Sequence, residues 1–518
     1  MKKVKNYMLT MKEEESIRLD VSSVSSDKVA TEQRDDKGPL KLTEPRKRMR
    51  EDFGYYEIRL LVLTQLGYIP VAAAMLMTAF MEPSPEWCDT VRETEQSWKL
   101  NPNNEFYSLS VERGFACQKN SNQTTAMMSS LLMWGALIGS FVCGFLSDRL
   151  GRKPVYLGCL LMITIGHILL TFSMYLSWMT INATLAAMGF FCGGYMVTNF
   201  VILTEAFELP KSRLLVVSLN GWSVSMAVTA LAASYTLNWY AYHTIFAIVG
   251  ACIAIISLAT CSESCRWLSA NGLQNDAKKI ALQITLLNNN RDIEEDDISI
   301  LSWHEILGFS APTHTDEKKT WKTLFKSTRF LKPTAVMCYS FMASSIVSFG
   351  FYFSIDVLPG NRYYNMTIMG ILKFILGFTP FFLNRFLTKR AIAISSVGLC
   401  CLAALMILPI QYYDIQCMRW VIIMLSLMIA AGIDPTWKIN HLYSAELFPT
   451  SVRSMARGVC NAGGRLGSVM APMIVYLRTF GFFIPNAIFA VLLFIQLVVI
   501  VIFLPDDSDK DANEMNDE

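Results

Sequence analysis

Residues Gly144-Phe-Leu-Ser-Asp148-Arg149-Leu-Gly151-Arg152-Lys153-Pro154 form a charged clip between two long apolar runs, and their reading lays out the rest of the chain. Gly144 and Gly151 let two backbones come close and turn sharply, and Pro154 suits the first turn of the next helix. Arg149, Arg152 and Lys153 belong on the cytoplasmic face of a membrane, which gives Asp148 cationic neighbours on every side. The clip therefore joins two spanning helices.

The 518 residues are 53% hydrophobic and only 17% charged, too apolar for a soluble protein of this size. The net charge of +2 sits in short clusters between apolar runs, not on one basic face, which argues against a nucleic-acid partner. A span needs about 20 mostly apolar residues. Runs of that kind fall near 60–81, 126–147, 154–175, 183–205, 214–235, 241–260, 333–356, 364–384, 391–411, 419–442, 455–477 and 482–504, about twelve in all. Arg149, Arg152, Lys153, Lys211, Arg213, Arg385, Lys389, Arg390, Arg453 and Arg457 share one side, against Arg362, Arg419 and Arg478 opposite, which puts both termini in the cytoplasm. The start has no basic segment followed by a short apolar one, so the first span is expected to act as the anchor.

This pattern predicts an all-α membrane protein: a disordered tail over 1–57, a six-helix bundle over 58–261 with an outer loop at 82–125, and a cytoplasmic linker of short surface helices over 262–332. A second six-helix bundle over 333–505 and an acidic tail over 506–518 complete the chain. Leu203-Thr-Glu205-Ala-Phe207 with Arg213 ends the fourth span, and Ser444-Ala-Glu446-Leu-Phe448-Pro449 with Arg453 ends the tenth. Asp148-Arg149 is echoed by Asn384-Arg385, and Ser262-Glu263 by Pro505-Asp506, each at an offset of about 240 residues, so the bundles are related by duplication. In the outer loop Cys88 and Cys117 are expected to pair, closing about 30 residues and contributing ~3–4 kcal/mol. The other cysteines read as packing residues, with no metal-like spacing and no cofactor motif. Asn122, Asn182 and Asn365 carry glycosylation sequons that hug helix starts.

The clip after the second span resembles that of the major facilitator superfamily. Ala445-Glu-Leu-Phe-Pro-Thr-Ser-Val-Arg453 with Gly463-Gly-Arg465-Leu-Gly-Ser468 is similar to the organic cation, organic anion and carnitine transporter family. The resemblance runs from Asp52 to Pro505. It implies twelve helices in two pseudo-symmetric bundles, alternating access, residence in the plasma membrane, and an Asp148–Arg149 latch between the halves on the cytoplasmic side. Its anion and carnitine branches carry Arg where this chain has Arg465, and its cation branches carry Asp. Cys265 stands where the family usually has Pro, and the loop after the eighth span lacks its glycines.

Ionisable residues at mid-depth mark a transporter's site. The second half offers Lys373, Asp434, Lys438 and Arg465; the first offers only Gln65, Tyr68, His167, Asn199, Asn220 and Trp222. Each charge costs about 2.5–3.5 kcal/mol at a helix centre, so these groups must face water or one another. Asp434 and Lys438, four apart, are expected to pair along one face, which leaves Lys373 and Arg465 in excess and favours an organic anion or zwitterion. Tyr68, Trp222, Tyr339, Tyr352 and Trp437 are expected to wall the pocket, His167 to be a satisfied interhelical polar group, and Glu205 and Glu446, with Arg152, Arg213 and Arg453, to close the cytoplasmic gate. An organic cation carrier using Asp434, a proton-coupled sugar-type symporter and a non-transporting sensor stay open, as does a coupling ion. The functional unit is expected to be a monomer. An enzyme is disfavoured, since no nucleophile–base pair or phosphate-binding loop is present.

Overall fold

A computed structural model describes residues 53–83, 87–88, 105–118, 121–207, 210–219, 221–289, 328–413, 415–448 and 450–504. The expected tails before 53 and after 504, most of loop 82–125 and the linker over 290–327 lie outside the described residues. So do the side chains of Arg213, Glu446 and Arg453 and the whole of Asn220.

Helices are α1 (Tyr55–Leu66), α2 (Tyr68–Leu76), α3 (Leu109–Glu112), α4 (Ser121–Leu150), α5 (Arg152–Thr171), α6 (Trp178–Ala206), α7 (Pro210–Ser218), α8 (Gly221–Thr236) and α9 (Trp239–Thr260). Two short helices follow, α10 (Cys265–Ala270) and α11 (Gln274–Asn289). The second half holds α12 (Thr328–Phe353), α13 (Arg362–Gly377), α14 (Thr379–Leu383), α15 (Lys389–Tyr412), α16 (Arg419–Gly432), α17 (Asp434–Glu446), α18 (Thr450–Tyr476) and α19 (Ile484–Phe503). Helix α1 starts inside the stretch expected to be tail. Among the described residues, eleven helical segments are long and apolar enough to span a membrane. The twelfth span is α18, whose 27 residues cover about 40 Å but carry Arg457 and Arg465. The chain is a multi-pass integral membrane protein.

Among the described residues three spans break internally, and each break has the same local cause. Gly67-Tyr-Ile-Pro70, Gly377-Phe-Thr-Pro380 and Gly432-Ile-Asp-Pro435 separate α1 from α2, α13 from α14 and α16 from α17. Proline withdraws an N–H from the helical ladder and crowds the carbonyl four residues back, and glycine one turn earlier removes the Cβ that would resist the bend.

Two seams join the halves, α4 against α18 and α8 against α13. Counted as spans these are 2 with 11 and 5 with 8, so adding six to one pair yields the other, as a pseudo-two-fold axis requires. Within the first half α4 and α6 pack most closely. A Cβ added at Gly193 would overlap the Ala136 carbonyl, and one at Gly189 the Leu132 carbonyl. Small residues thus replace the hydrophobic drive that lipid cannot provide.

On the outer side Cys88 and Cys117 form the expected disulfide, with Cα atoms 5.4 Å apart. Trp87, Val111 and Ala116 are buried beside it. Residues 105–118 then make a strap. Tyr107 N–H donates to Leu237 O and its carbonyl accepts from Trp239 N–H, both at 2.9 Å, while Arg113 donates to the carbonyls of Ser173 and Leu176. The sequons at Asn122, Asn182 and Asn365 all lie inside helices; Asn365 is buried, with its Nδ2 donating to Pro359 O.

Gly193→Ala is expected to force α4 and α6 apart and cost ~1–3 kcal/mol, whereas Gly158→Ala, where an added Cβ meets nothing, is expected to be neutral or slightly stabilising. Thermal unfolding of the detergent-solubilised variants checks this: equal melting temperatures for the two would contradict the packing described.

Candidate functional site

Between the halves lies a cavity of ≈ 550 Å³ that runs from mid-depth to the end carrying the Arg-rich loops, called here the inner end. The first half contributes Gln65, Tyr68, Met196, Phe200 and Trp222 to its wall. The second half contributes Phe341, Tyr352, Lys373, Asp434, Trp437, Lys438, His441 and Arg465. All four mid-depth charges therefore face this space.

Their pairing differs from the sequence expectation. Lys373 lies 3.5 Å from Asp434, donates to Ser348 Oγ and Ala430 O at 3.1 Å each, and sits 5.4 Å from the Tyr352 ring centre. Asp434 and Lys438 lie four apart in the same helix, α17, but the carboxylate reaches Lys373 of α13. Asp434 is in the first turn of α17, turned toward α13, where Gly377 makes room: a Cβ there would lie 3.0 Å from Asp434 Oδ2. Lys438, 6% exposed, has no ion pair among the described residues. Arg465 is 9% exposed and its described side-chain hydrogen bond is a donation to Met196 Sδ across the cavity, at 3.3 Å. Three cations thus face one carboxylate at mid-depth.

Tyr68, Trp222, Tyr352 and Trp437 line the cavity as expected, and Tyr339 does not. Its hydroxyl donates to Leu492 O at 3.1 Å, so it faces α19. Sequence reasoning missed His441, which packs against Phe200 of the other half and against Phe341 and Trp437. It lies one turn after Trp437, and that spacing was the signal available. His167 is a satisfied polar group: its Nδ1 is 2.9 Å from His243 Nδ1 and its Nε2 3.0 Å from Pro70 O.

At the inner end Arg152 is the hub. It pairs with Asp148 at 2.5 Å and Glu205 at 3.0 Å. The carboxylate of Glu263 accepts from the N–H groups of Arg152 and Lys153 at the start of α5, and Gly151, at φ 109°, turns the chain into that helix. Arg149 does not join Asp148 in a latch. It is exposed and its guanidinium lies 4.4 Å from the centre of the Phe145 ring. Every described polar contact of Asp148 and Arg152 stays within the first half and its adjoining short helices.

The outer end is closed by contacts that the sequence reading did not anticipate. Arg362 of α13 donates to Glu105 of the strap and to the Glu82 carbonyl, both in the first half. Arg478 pairs with Asp356 at 2.7 Å and donates to Asn122 of α4 at 3.1 Å, and Phe80 stacks on Tyr363 at 5.7 Å. Burial alone would depress the Arg478 guanidinium; Asp356, hydrogen-bonded to it, and Glu82 nearby hold it above its usual value. With the outer end bridged and the cavity reaching the inner end, this is an inward-facing arrangement.

Residues 68–472 match the Major Facilitator Superfamily. The chain belongs to that superfamily. Its relatives include a solute carrier family 22 member 15-like protein of Xenopus tropicalis, 25% identical over 89% of this chain and 93% of that one. Solute carrier family 22 member 4 of Mus musculus is 25% identical over 79% and 71%, and organic anion transporter 3 of Pongo abelii 25% over 78% and 73%. The proton:xylose symporter XylE superposes with a TM-score of 0.61 at 14% identity, covering 87% of this chain and 96% of XylE. The superfamily's fold accounts for the duplicated bundles and the cavity between them, and the chain is a membrane transporter of this type.

Replacing Lys373 by Gln removes the ammonium partner of a buried carboxylate, which is expected to cost about 3–5 kcal/mol. The double variant Lys373→Gln/Asp434→Asn is expected to recover most of that. Thermal stability of the purified variants reads the difference, and a double variant no more stable than the single one would show that the pair is not what holds Asp434.

Proposed function

We propose that this carrier moves small organic anions or zwitterions by alternating access, with Arg465 and Lys438 as the anion-binding groups. The observation that carries this reading is the excess of two positive charges at mid-depth: among the described residues Lys373, Lys438 and Arg465 face Asp434 there, while Asp148 and Glu205, which also line the cavity, sit beside Arg152 at its inner end. A planar guanidinium suits a carboxylate or sulfate held by two bonds, and Tyr68, Trp222, Tyr352 and Trp437 offer apolar walls for the body of the ion. The names of the relatives, which include an organic anion transporter, favour the same class. Asp434 is less suited to bind an organic cation because Lys373 already answers it. A sugar-type symporter draws support only from the shared fold of XylE, and a ligand sensor would bind without flux. The proposal places the chain in the plasma membrane with both termini cytoplasmic, working as a monomeric carrier and not as an enzyme.

The test is uptake of a radiolabelled panel holding an aryl carboxylate, a betaine, tetraethylammonium and a hexose, with and without pH and sodium gradients. Uptake of the carboxylate or betaine is expected to fall at least tenfold in Arg465→Asp, about 1.4 kcal/mol or more of lost binding, while Arg465→Lys keeps part of it. Unchanged anion uptake in Arg465→Asp, or uptake of tetraethylammonium or hexose alone, would overturn the assignment.

A further inference from the structure

The first span is held around its break by side chains of its neighbours. The Tyr195 hydroxyl donates to Thr64 O at 2.8 Å, His167 Nε2 lies 3.0 Å from Pro70 O, and the Tyr242 hydroxyl donates to Ala73 O at 3.0 Å. These groups come from α6, α5 and α9, and a helix interrupted by Gly67 and Pro70 needs such support inside a bilayer. The tyrosines donate directly, whereas His167 leans on a second imidazole. Its Nδ1 is 2.9 Å from Nδ1 of His243, and both residues are 0% exposed and sealed from the cavity. The rings of Trp239, Tyr242 and Phe246 pack around the pair.

The protons of the pair follow from their partners. A carbonyl can only accept, so His167 Nε2 carries hydrogen. A neutral His167 then has a bare Nδ1, which needs a donor, and that donor is the Nδ1–H of His243. His243 Nε2 is left bare, in keeping with its having no hydrogen-bond partner. The opposite direction would require a doubly protonated His167, a charge buried among neutral rings, and would leave a buried N–H of His243 without an acceptor.

We propose that His243 is a positioning residue for transport: through His167 it fixes the Pro70 carbonyl, and with it the bend that turns Gln65 and Tyr68, just before Pro70, into the cavity. The two bonds run in one direction, from His243 Nδ1–H to His167 Nδ1 and from His167 Nε2–H to Pro70 O, so each polarises and strengthens the other. No described hydrogen bond joins His243 to the first span itself, so its influence there passes through His167. The relay lies behind the cavity wall and touches no substrate; what it sets is the shape of the wall.

NMR of the full-length protein in lipid nanodiscs, with isotope-labelled histidine, is expected at neutral pH to show His167 protonated at Nε2 alone and His243 at Nδ1 alone, with coupling across the bridge between them; His167→Gln and His243→Gln assign the signals. Carbonyl-labelled proline with nitrogen-labelled valine isolates the Pro70–Val71 bond, and Pro154–Val155, the other such pair in the sequence, serves as internal control. The Pro70 signal is expected to move in His243→Phe, which withdraws the donor from His167, and to stay near its wild-type place in His243→Gln, whose amide N–H replaces it. The Pro154 signal is expected to stay put in both. Uptake of an aryl carboxylate is the functional arm and the only one that rests on the anion reading: its KM is expected to rise severalfold in His243→Phe and to recover in His243→Gln. Two rings in the same tautomer, a doubly protonated ring, or a Pro70 signal that ignores His243→Phe overturns the proposal, as does an unchanged KM in a variant whose Pro70 signal has moved. A wild-type carrier that takes up no aryl carboxylate counts against the anion reading alone, and the NMR arms then decide. Should His243→Phe not fold, the wild-type tautomers decide by themselves.

Discussion

A charge inside a bilayer-spanning bundle must be paired, wetted or neutralised, and most of what is distinctive in this protein follows from how each one meets that condition. Lys373 and Asp434 are paired and nearly sealed from solvent. Lys438 and Arg465 have no such partner among the described residues and border the cavity. At the outer end the same condition draws Arg362 and Arg478 across the seam to groups of the first half. The gates and the cavity are thus answers to one electrostatic demand at three depths.

The fold was largely legible in the sequence because its signals are local and repeated. Twelve apolar runs, the Lys and Arg in short connections, and an offset of about 240 residues at three helix ends suffice for two bundles of six. Pairings were harder to read. Asp434 and Lys438 keep their helical spacing inside α17, and what draws the carboxylate to Lys373 is a neighbouring helix, α13, which local spacing does not reveal. The glycine–proline spacing at Gly67, Gly377 and Gly432 stands openly in the sequence, so the breaks were written in the chain although their effect on side-chain direction was not. Tyr339 shows the complementary limit, since one residue of rotation separates a helix face toward the cavity from a face toward α19.

Roles within the charged clip also needed tertiary information. Arg149 and Arg152 are equally basic and three residues apart, and sequence offers no reason to prefer either as the partner of Asp148. What selects Arg152 is the arrival of Glu205 from the end of α6 and Glu263 from beyond α9. The outer gate is the extreme case. Arg362 serves topology counting as one more loop charge, yet its partner Glu105 lies 257 positions earlier in a strap held by the Cys88–Cys117 bridge. No local pattern encodes such a contact.

These arrangements bear on the order of events in a transport cycle. Drawing the halves together at the inner end must drive water from the cavity, and with three cations facing one carboxylate that step leaves positive charge stranded in a medium of low dielectric. Under the anion reading, a substrate with one or two negative groups removes most of that penalty by sitting on Arg465 and Lys438. Occlusion is then favoured only when the site is filled, because differential stabilisation of the occluded state is all that a ligand can contribute to a conformational change. A hexose would bring hydrogen bonds but no counter-charge, and an organic cation would deepen the penalty. The same residues that bind the ion would therefore decide whether the halves may rock at all.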